Sequence, residues 1–245
     1  TEIQPGTLMF LLSGYDLNQL DRHQIQLRYE QALVKGELLP GDYQHTNKDF
    51  IHFLQNRGSN AQHIHGADSS TASAHTKANI AGRQSLLRLL RFVRSLPGCE
   101  DTRIETMASE TGIRETYRII GEVCITAEQY RQGVVFPDAV SYTFYPIDLH
   151  TAQGITPQPL EQGVVPTIPL RAMIPRGSRN LLAAGRCISS DRLANSALRV
   201  QASCMAMGQA AGAAAVLAAR QRISPAEVNY DACRGLLRKH QAIVP

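Results

Sequence analysis

Apolar and polar positions change period several times along the chain. Gly6 to Asp16, GTLMFLLSGYD, is dense in apolar residues and closes on Ser-Gly, the pattern of a buried strand. From Leu17 to Val34 apolar positions return at helical spacing and predict a helix, which Gly36, Pro40 and Gly41 break. DFIHFLQNRGSN reads as a strand and turn, with Phe50, Ile51, Phe53 and Leu54 apolar and Gly58-Ser59-Asn60 turning. The Ser/Thr/Ala-rich stretch Gly66 to Thr76 reads as a loop entering a helix over about Ala78 to Ser95. Ile80, Leu86, Leu87, Leu89, Leu90 and Val93 mark that helix's buried stripe, and Arg83, Arg88, Arg91 and Arg94 its wet face. TRIETMASETGIRETYRIIGEVCIT predicts a strand, a Gly-centred turn and a second β-rich run, and Val134 to Tyr145 is β-prone. Thr151 to Pro169, punctuated by Gly and Pro, is a connector.

The last third is the most legible. RNLLAAGR (Arg179 to Arg186) predicts a short apolar strand, CISSDRLANSA a polar loop, and then a small-residue helix runs from about Arg199 to Arg220. A terminal helix covers Pro225 to His240. Strand, loop and Ala/Gly helix make half of an α/β unit, so the fold class is α/β (α+β) with two lobes. Glycine inside a helix costs roughly 1 kcal/mol relative to alanine. Gly208 and Gly212, one turn apart, therefore predict close packing against a parallel sheet. The helix start near Ala197 to Arg199 offers unpaired N–H groups and partial positive charge, which suit an anion or a polarised carbonyl. It is not a phosphate loop, because no GxxxxGK[ST] is present.

Composition narrows the classes. With 245 residues, 43% of them hydrophobic, the chain can bury a core and is not a disordered one. The net charge of +4 comes from scattered Arg rather than a basic run, which argues against a nucleic-acid partner. Cys99, Cys124, Cys187, Cys204 and Cys233 form no CxxC and no zinc-ribbon spacing, so a reducing interior is expected rather than a disulfide framework. The apolar stretch Cys204 to Ala219 is short for a membrane span, and no charged-then-apolar leader opens the chain. The expectation is a cytoplasmic protein without a membrane partner. The chain opens at Thr1, without Met and within what reads as a strand. His63, His65 and His75 with Asp68 invite a metal-dependent hydrolase reading, but their loop offers no further regular ligand spacing, and the expectation is no metal.

NLLAAGRCISSDRLANSALRVQASCMAMGQAAGAAA resembles the C-terminal flavin segment of FAD-dependent oxidoreductases of the glutathione-reductase-like superfamily, in the branch with a fumarate-reductase-like flavin domain. Three further segments match in order: QPGTLMFLLSGYD, GIRETYRIIGE (Gly112 to Glu122) and FPDAVSYTFYPIDLH (Phe136 to His150). The resemblance implies the C-terminal part of a two-lobed FAD/NAD(P)-binding-like fold. Residues 1–165 would form a mixed-sheet substrate-side lobe, 166–222 the final strand and helix of an incomplete flavin domain, and 223–245 a C-terminal helix. It implies FAD as cofactor, a small-molecule substrate, and hydride transfer between the two. Such enzymes open on a strand–GxGxxG–helix unit, and no GxGxxG occurs here. A missing N-terminal nucleotide-binding segment is therefore expected; the alternative is a flavin-free remnant serving as a binding or scaffold module.

The resemblance also implies roles. Gly185 would give close approach to the flavin ribityl chain, with Arg186 where an acidic residue or its equivalent often stands. Leu198, Arg199, Val200 and Gln201 would aim backbone N–H groups at the flavin pyrimidine carbonyl, a placement that favours reduced flavin. Asn195 and Ser196 would line the same cradle; the alternative is that they only cap the helix. If GIRETYR is extended, Arg114 and Arg118 share a face, and paired guanidinia suit a carboxylate or the flavin edge. The alternative is an internal salt bridge with Glu115 or Glu122. Asp148 and His150 would form a proton-transfer pair.

Overall fold

The computed structural model describes residues 3–45, 49–151, 154–155 and 157–245. Thr1, read as lying within a strand, falls outside them. The chain forms two compact units, Thr1–Thr116 with His150–Thr156, and Tyr117–Leu149 with Pro157–Pro245. This grouping differs from the expected 1–165, 166–222 and 223–245. Residues 117–149 join the C-terminal third because their backbone pairs there: Ile119 N–H donates to the Cys187 carbonyl at 2.8 Å.

In the first unit, strand β1 (Phe10–Ser13) lies between β2 (Gly58–Ser59) and β3 (Arg103–Met107), antiparallel to both. Helix α1 (Arg22–Val34) starts on Asp21, whose carboxylate accepts from the His23 and Gln24 N–H groups. The stretch expected as a strand after Asp49 is instead helix α2 (Ile51–Gln55). Phe50, Ile51, Phe53 and Leu54 are spaced i, i+1, i+3, i+4, so a helix buries all four on one side where a strand would split them. Phe50 stacks on Tyr29 at 4.7 Å and on Phe53 at 4.8 Å, and Phe92 meets its edge at 5.1 Å.

Helix α3 (Ala72–Arg94) begins earlier than its apolar stripe suggested, capped by Thr71. Leu86, Leu89 and Val93 are buried as expected, whereas Ile80 and Leu87 are exposed and Phe92 takes a core place. Gly82 lets this helix touch its neighbours: a Cβ there would sit 2.5 Å from Thr111 Oγ1 and 3.1 Å from Leu8 Cβ. Arg88, expected on the wet face, grips the buried Asp42 carboxylate through two hydrogen bonds of 2.6 and 2.8 Å. A short antiparallel ladder pairs His150–Thr151 with Gly154–Ile155.

In the second unit, helix α4 (Ala127–Arg131) opens with a Thr126/Gln129 capping box. Strand β4 (Ala139–Tyr142) pairs antiparallel with β5 (Thr167–Pro169). The second β-rich run after Gly112 forms only isolated bridges, Gly121 to Pro175 and Ile125 to Ser190. Arg179–Arg186 is not a strand either: Ala183 N–H reaches the Met173 carbonyl at 2.8 Å, but no ladder repeats along the segment among the described residues. The predicted polar loop contains helix α5 (Arg192–Leu198), started by Asp191, which accepts from the Ala194 N–H. Helix α6 (Gln201–Gln221) follows after Arg199 and Val200, and α7 (Tyr230–Lys239) is capped by Asn229.

The face of α6 that carries Ser203, Met207, Ala210, Ala214 and Ala218 is buried. Gly208 and Gly212 lie off that face, and a Cβ at either would meet nothing within 4 Å. The expected close packing at these glycines is thus absent among the described residues. With a mean hydropathy of 1.4 over its most apolar window, α6 is long and apolar enough to cross a membrane by length and composition. A helix with a buried core face also meets that description. The fold as a whole mixes helices with small antiparallel sheets, consistent with the α/β (α+β) class.

Candidate functional site

Two groups of polar residues stand out, one in each unit. In the second, the chain turns at Gly185 to Cys187 before α5. Gly185 has φ +92°, a conformation that favours glycine, and a Cβ there would meet only Cys204 Sγ at 3.8 Å. Asn195 on α5 is fully buried, and its Nδ2 donates to the Arg186 carbonyl at 3.0 Å, which holds the turn to the helix. That bond assigns the amide: Nδ2 faces a carbonyl, so Oδ1 faces the other way as an acceptor. Asn195 Oδ1 is buried and has no hydrogen-bond partner among the described residues, and the same holds for Ser190 Oγ. An unsatisfied buried acceptor costs roughly 1–3 kcal/mol, so each of these atoms is open to a water or a ligand donor.

Helix α6 begins beside this turn without a side-chain cap, because its N-cap is Val200. The other helices of seven or more described residues, α1, α3, α5 and α7, each have a side-chain cap. The first amides of α6 are thereby left to a ligand or to water. Cys204 Sγ donates to the Arg199 carbonyl at 3.3 Å, and burial pushes its thiol pKa up while Arg186 and Arg199 pull the other way. The thiol therefore stays protonated near neutral pH.

The remaining residues expected at the cofactor make contacts within the second unit. Ser196 Oγ accepts from the Asp148 N–H at 3.1 Å and donates to the Leu193 carbonyl at 2.7 Å, so it ties α5 to the Asp148 segment. Arg199 donates to the Asp148 carbonyl at 3.1 Å, with the Asp148 carboxylate 3.6 Å away. Leu198 is core, and the Arg199 N–H is spent on the Asn195 carbonyl at 3.0 Å. The amide-presenting start of the long helix is thus at Val200 and Gln201 rather than Leu198 and Arg199.

In the first unit, His63 and His150 are both buried, with His150 Nδ1 2.8 Å from His63 Nε2. His150 N–H donates to Gln4 Oε1 at 3.2 Å, and Gln4 N–H donates to Glu115 Oε1 at 2.9 Å. Buried Arg114 donates to the Pro5 carbonyl and to Thr7 Oγ1 at 2.9 Å. The chain thus brings Arg114 and His150 into one unit and uses their neighbours to fix them. Arg118 lies in the other unit, where its Nε donates to the Ser190 carbonyl at 3.1 Å. Of the expected proton-transfer pair, His150 Nδ1 meets His63 and Asp148 meets Arg199.

The histidines of the metal reading also go separate ways. His63 faces His150, His75 lies 3.3 Å from Glu110, and Asp68 accepts from Ser70, whose hydrogen bonds lower the Asp68 pKa. Among the described residues no three His, Cys, Asp or Glu are placed to hold a metal.

A family model described as FAD dependent oxidoreductase matches residues 1–237. The chain belongs to that family. Neither the curated proteins nor the solved structures returned a match.

Family membership makes FAD the cofactor, and the turn in the second unit fits part of it. Asn195 Oδ1 and Ser190 Oγ offer acceptors to flavin or ribityl donors, the first amides of α6 offer donors to a carbonyl or phosphate, and Gly185 leaves room for close approach. His63 and Gln4 were not singled out for this chemistry by sequence reasoning. His63 was visible only as part of a metal pattern, and Gln4 only as the first residue of the matching segment QPGTLMFLLSGYD.

Proposed function

We propose that this chain is the C-terminal portion of a flavoenzyme that transfers hydride between a small organic substrate and FAD, working with a preceding nucleotide-binding segment in the cytoplasm. The observation that carries the reading is the unanswered Asn195 Oδ1, buried beside a left-handed Gly185 and an uncapped 21-residue helix in a chain of the FAD dependent oxidoreductase family. FAD, when bound, supplies the two-electron acceptor.

The chain's own residues do the rest. Asn195 and Ser190 accept hydrogen bonds from the cofactor, while Val200, Gln201 and the amides after them donate. Arg199, steadied by Asp148, and Arg186 supply positive charge where reduced flavin is negative. Arg114 orients the substrate side of the first unit, and His150 handles the proton there. Arg118 steadies the Ser190 segment through its carbonyl.

The test is FAD titration of the full-length protein followed by absorbance, with anaerobic bleaching by a panel of small alcohols, amines and hydroxy acids. The wild type should bind FAD, and Asn195→Ala should weaken binding about tenfold, one hydrogen bond at ~1.4 kcal/mol. A protein that binds no FAD sinks the reading.

A further inference from the structure

The arginine-rich face of α3 does more than meet water. Arg88, Arg91, Phe92 and Ser95 follow the i, i+3, i+4, i+7 spacing that lines one side of a helix. Arg28 of α1 and Glu37, just after α1, complete the walls. These six residues line a hollow of about 280 Å³ that lies within the first unit. That volume is close to the lower end of the roughly 300–1,000 Å³ of small-ligand sites.

The hollow stays positive after its own pairs are counted. Arg28 Nη2 donates to Glu37 Oε2 at 2.6 Å, and Arg88 commits Nε and Nη2 to the buried Asp42 carboxylate. Gly36, at φ +71°, ends α1, and the Glu37 N–H returns to the Ala32 carbonyl at 2.9 Å, which brings Glu37 back to Arg28. Three guanidinia thus meet two carboxylates, and Arg91 is the cation left over. No hydrogen bond or ion pair reaches the Arg91 side chain among the described residues.

Arg28 is held in place as well as paired. Its Cζ lies 5.6 Å from the Phe92 ring centroid, and its Nη1 is buried with no hydrogen-bond partner among the described residues. A buried guanidinium N–H without an acceptor is destabilising, and a bound anion relieves it. Ser95 Oγ donates to the Phe92 carbonyl at 2.7 Å, so it has only lone pairs left to offer.

We propose that this hollow binds a phosphate group, free or as the monoester of a small hydroxylated compound. One phosphate oxygen accepts from Arg28 Nη1 and a second from Arg91, while the protonated oxygen of the monoanion donates to Ser95 Oγ. Two donors and one acceptor, from three residues, suit a group with three free oxygens better than a carboxylate with two. A monoanion also answers the single excess positive charge and leaves no second charge unpaired. The site is independent of the FAD reading and uses no residue of the second unit.

The test is calorimetric titration of the full-length protein with inorganic phosphate at fixed ionic strength, repeated with glycerol phosphate and with acetate. Phosphate should bind saturably at one site and raise the melting temperature as its concentration grows. Arg91→Gln should weaken binding about tenfold, the loss of a charge-assisted hydrogen bond, and Arg28→Gln at least as much. Arg220→Gln, which removes an arginine of the second unit that is also without a partner among the described residues, should leave it unchanged.

No saturable binding, equal weakening by Arg220→Gln, or acetate bound as tightly as phosphate overturns the proposal. Arg28 packs on Phe92, so should Arg28→Gln fail to fold, Arg91→Gln and Ser95→Ala decide. Ser95→Ala should weaken phosphate binding about threefold, the loss of one acceptor; unchanged affinity in both variants overturns the proposal. Glycerol phosphate bound more tightly than phosphate identifies an ester as the ligand, and the reverse order identifies free phosphate; either order supports a phosphate site.

Discussion

The two units reach stable cores by opposite means. The first is built on rings: Phe10, Tyr29, Tyr43, Phe50, Phe53 and Phe92 touch one another with centroids 4.7 to 6.3 Å apart. The second buries Tyr130 and then mostly aliphatic and small side chains, among them Ala194, Ala197, Ala210 and Ala214. Few large contributors make a core that fails badly at single positions; many small ones spread the energy and bring backbones close. The difference also bears on chemistry. Small residues on α5 and α6 let the Gly185 turn lie against Asn195 and Cys204, where an acceptor and a set of amides stay open. In the first unit, polar side chains around His150 are instead tied to one another.

The sharpest way to break this comparison is to truncate one ring. Phe50→Ala should cost about 3–5 kcal/mol, because Phe50 is fully buried and its four aromatic neighbours cannot follow it inward. Ala214→Gly in the second unit should cost only about 2 kcal/mol, the helix-propensity difference plus one buried methyl. Denaturant melts of both variants, with hydrogen exchange to assign the unit, measure this. Equal losses would mean that the aromatic cluster is not the first unit's main support.

A gentler discrimination uses alkali. Burial pushes the Tyr29 pKa up to about 12, with Asp42 adding to the effect. Tyr15 is also raised to about 12, first by burial and then by Cys99, against Arg57, and Tyr43 goes higher still. A tyrosine whose folded pKa is raised keeps its proton longer folded than unfolded. Its stability contribution is complete below pH 10 and is lost as pH rises through about 12. The first unit, with three such groups, should therefore loosen between pH 10 and 12 before the second, where Tyr130 is the raised tyrosine. Hydrogen exchange across that range gives the order, and simultaneous loss would contradict it.

How far the sequence could be read follows the same divide. Long periodic segments were legible: α1, most of α3, α6 and the terminal helix stand where their apolar spacing put them. Phe50 to Leu54 was misread because aromatic and β-branched residues suggested a strand, while the spacing that decides burial is helical. Arg179–Arg186 has a strand's composition, yet a strand is defined by partners, and composition does not supply them.

The site divides likewise. Gly185 and Asn195 came only from the family resemblance of the last third; the left-handed turn at Gly185 and the burial of Asn195 are seen in the fold. The His63–His150 contact joins residues 87 apart in sequence, and nothing local announces such a pair. The hydrogen bond from Arg199 to the Asp148 carbonyl spans 51 residues, and no spacing along the chain foretells it.

The smallest effect carries the most specific information about the second unit. Val200 is the N-cap of α6 and cannot accept from the helix's first amides, whereas Asp21, Thr71, Asp191 and Asn229 do so for their helices. Val200→Ser should stabilise the protein by about 1 kcal/mol, because a hydroxyl satisfies one of the open donors. If those donors serve FAD, the same change should weaken FAD binding, since the new cap competes for the group the cofactor needs. A thermal melt and an FAD titration on one variant read the two effects together. Stabilisation with a loss of affinity assigns the bare helix start to the cofactor, a trade of stability for function. Stabilisation with FAD affinity unchanged would mean that Val200 is simply a poor cap, and the cofactor's hold would then rest on Gly185, Ser190 and Asn195.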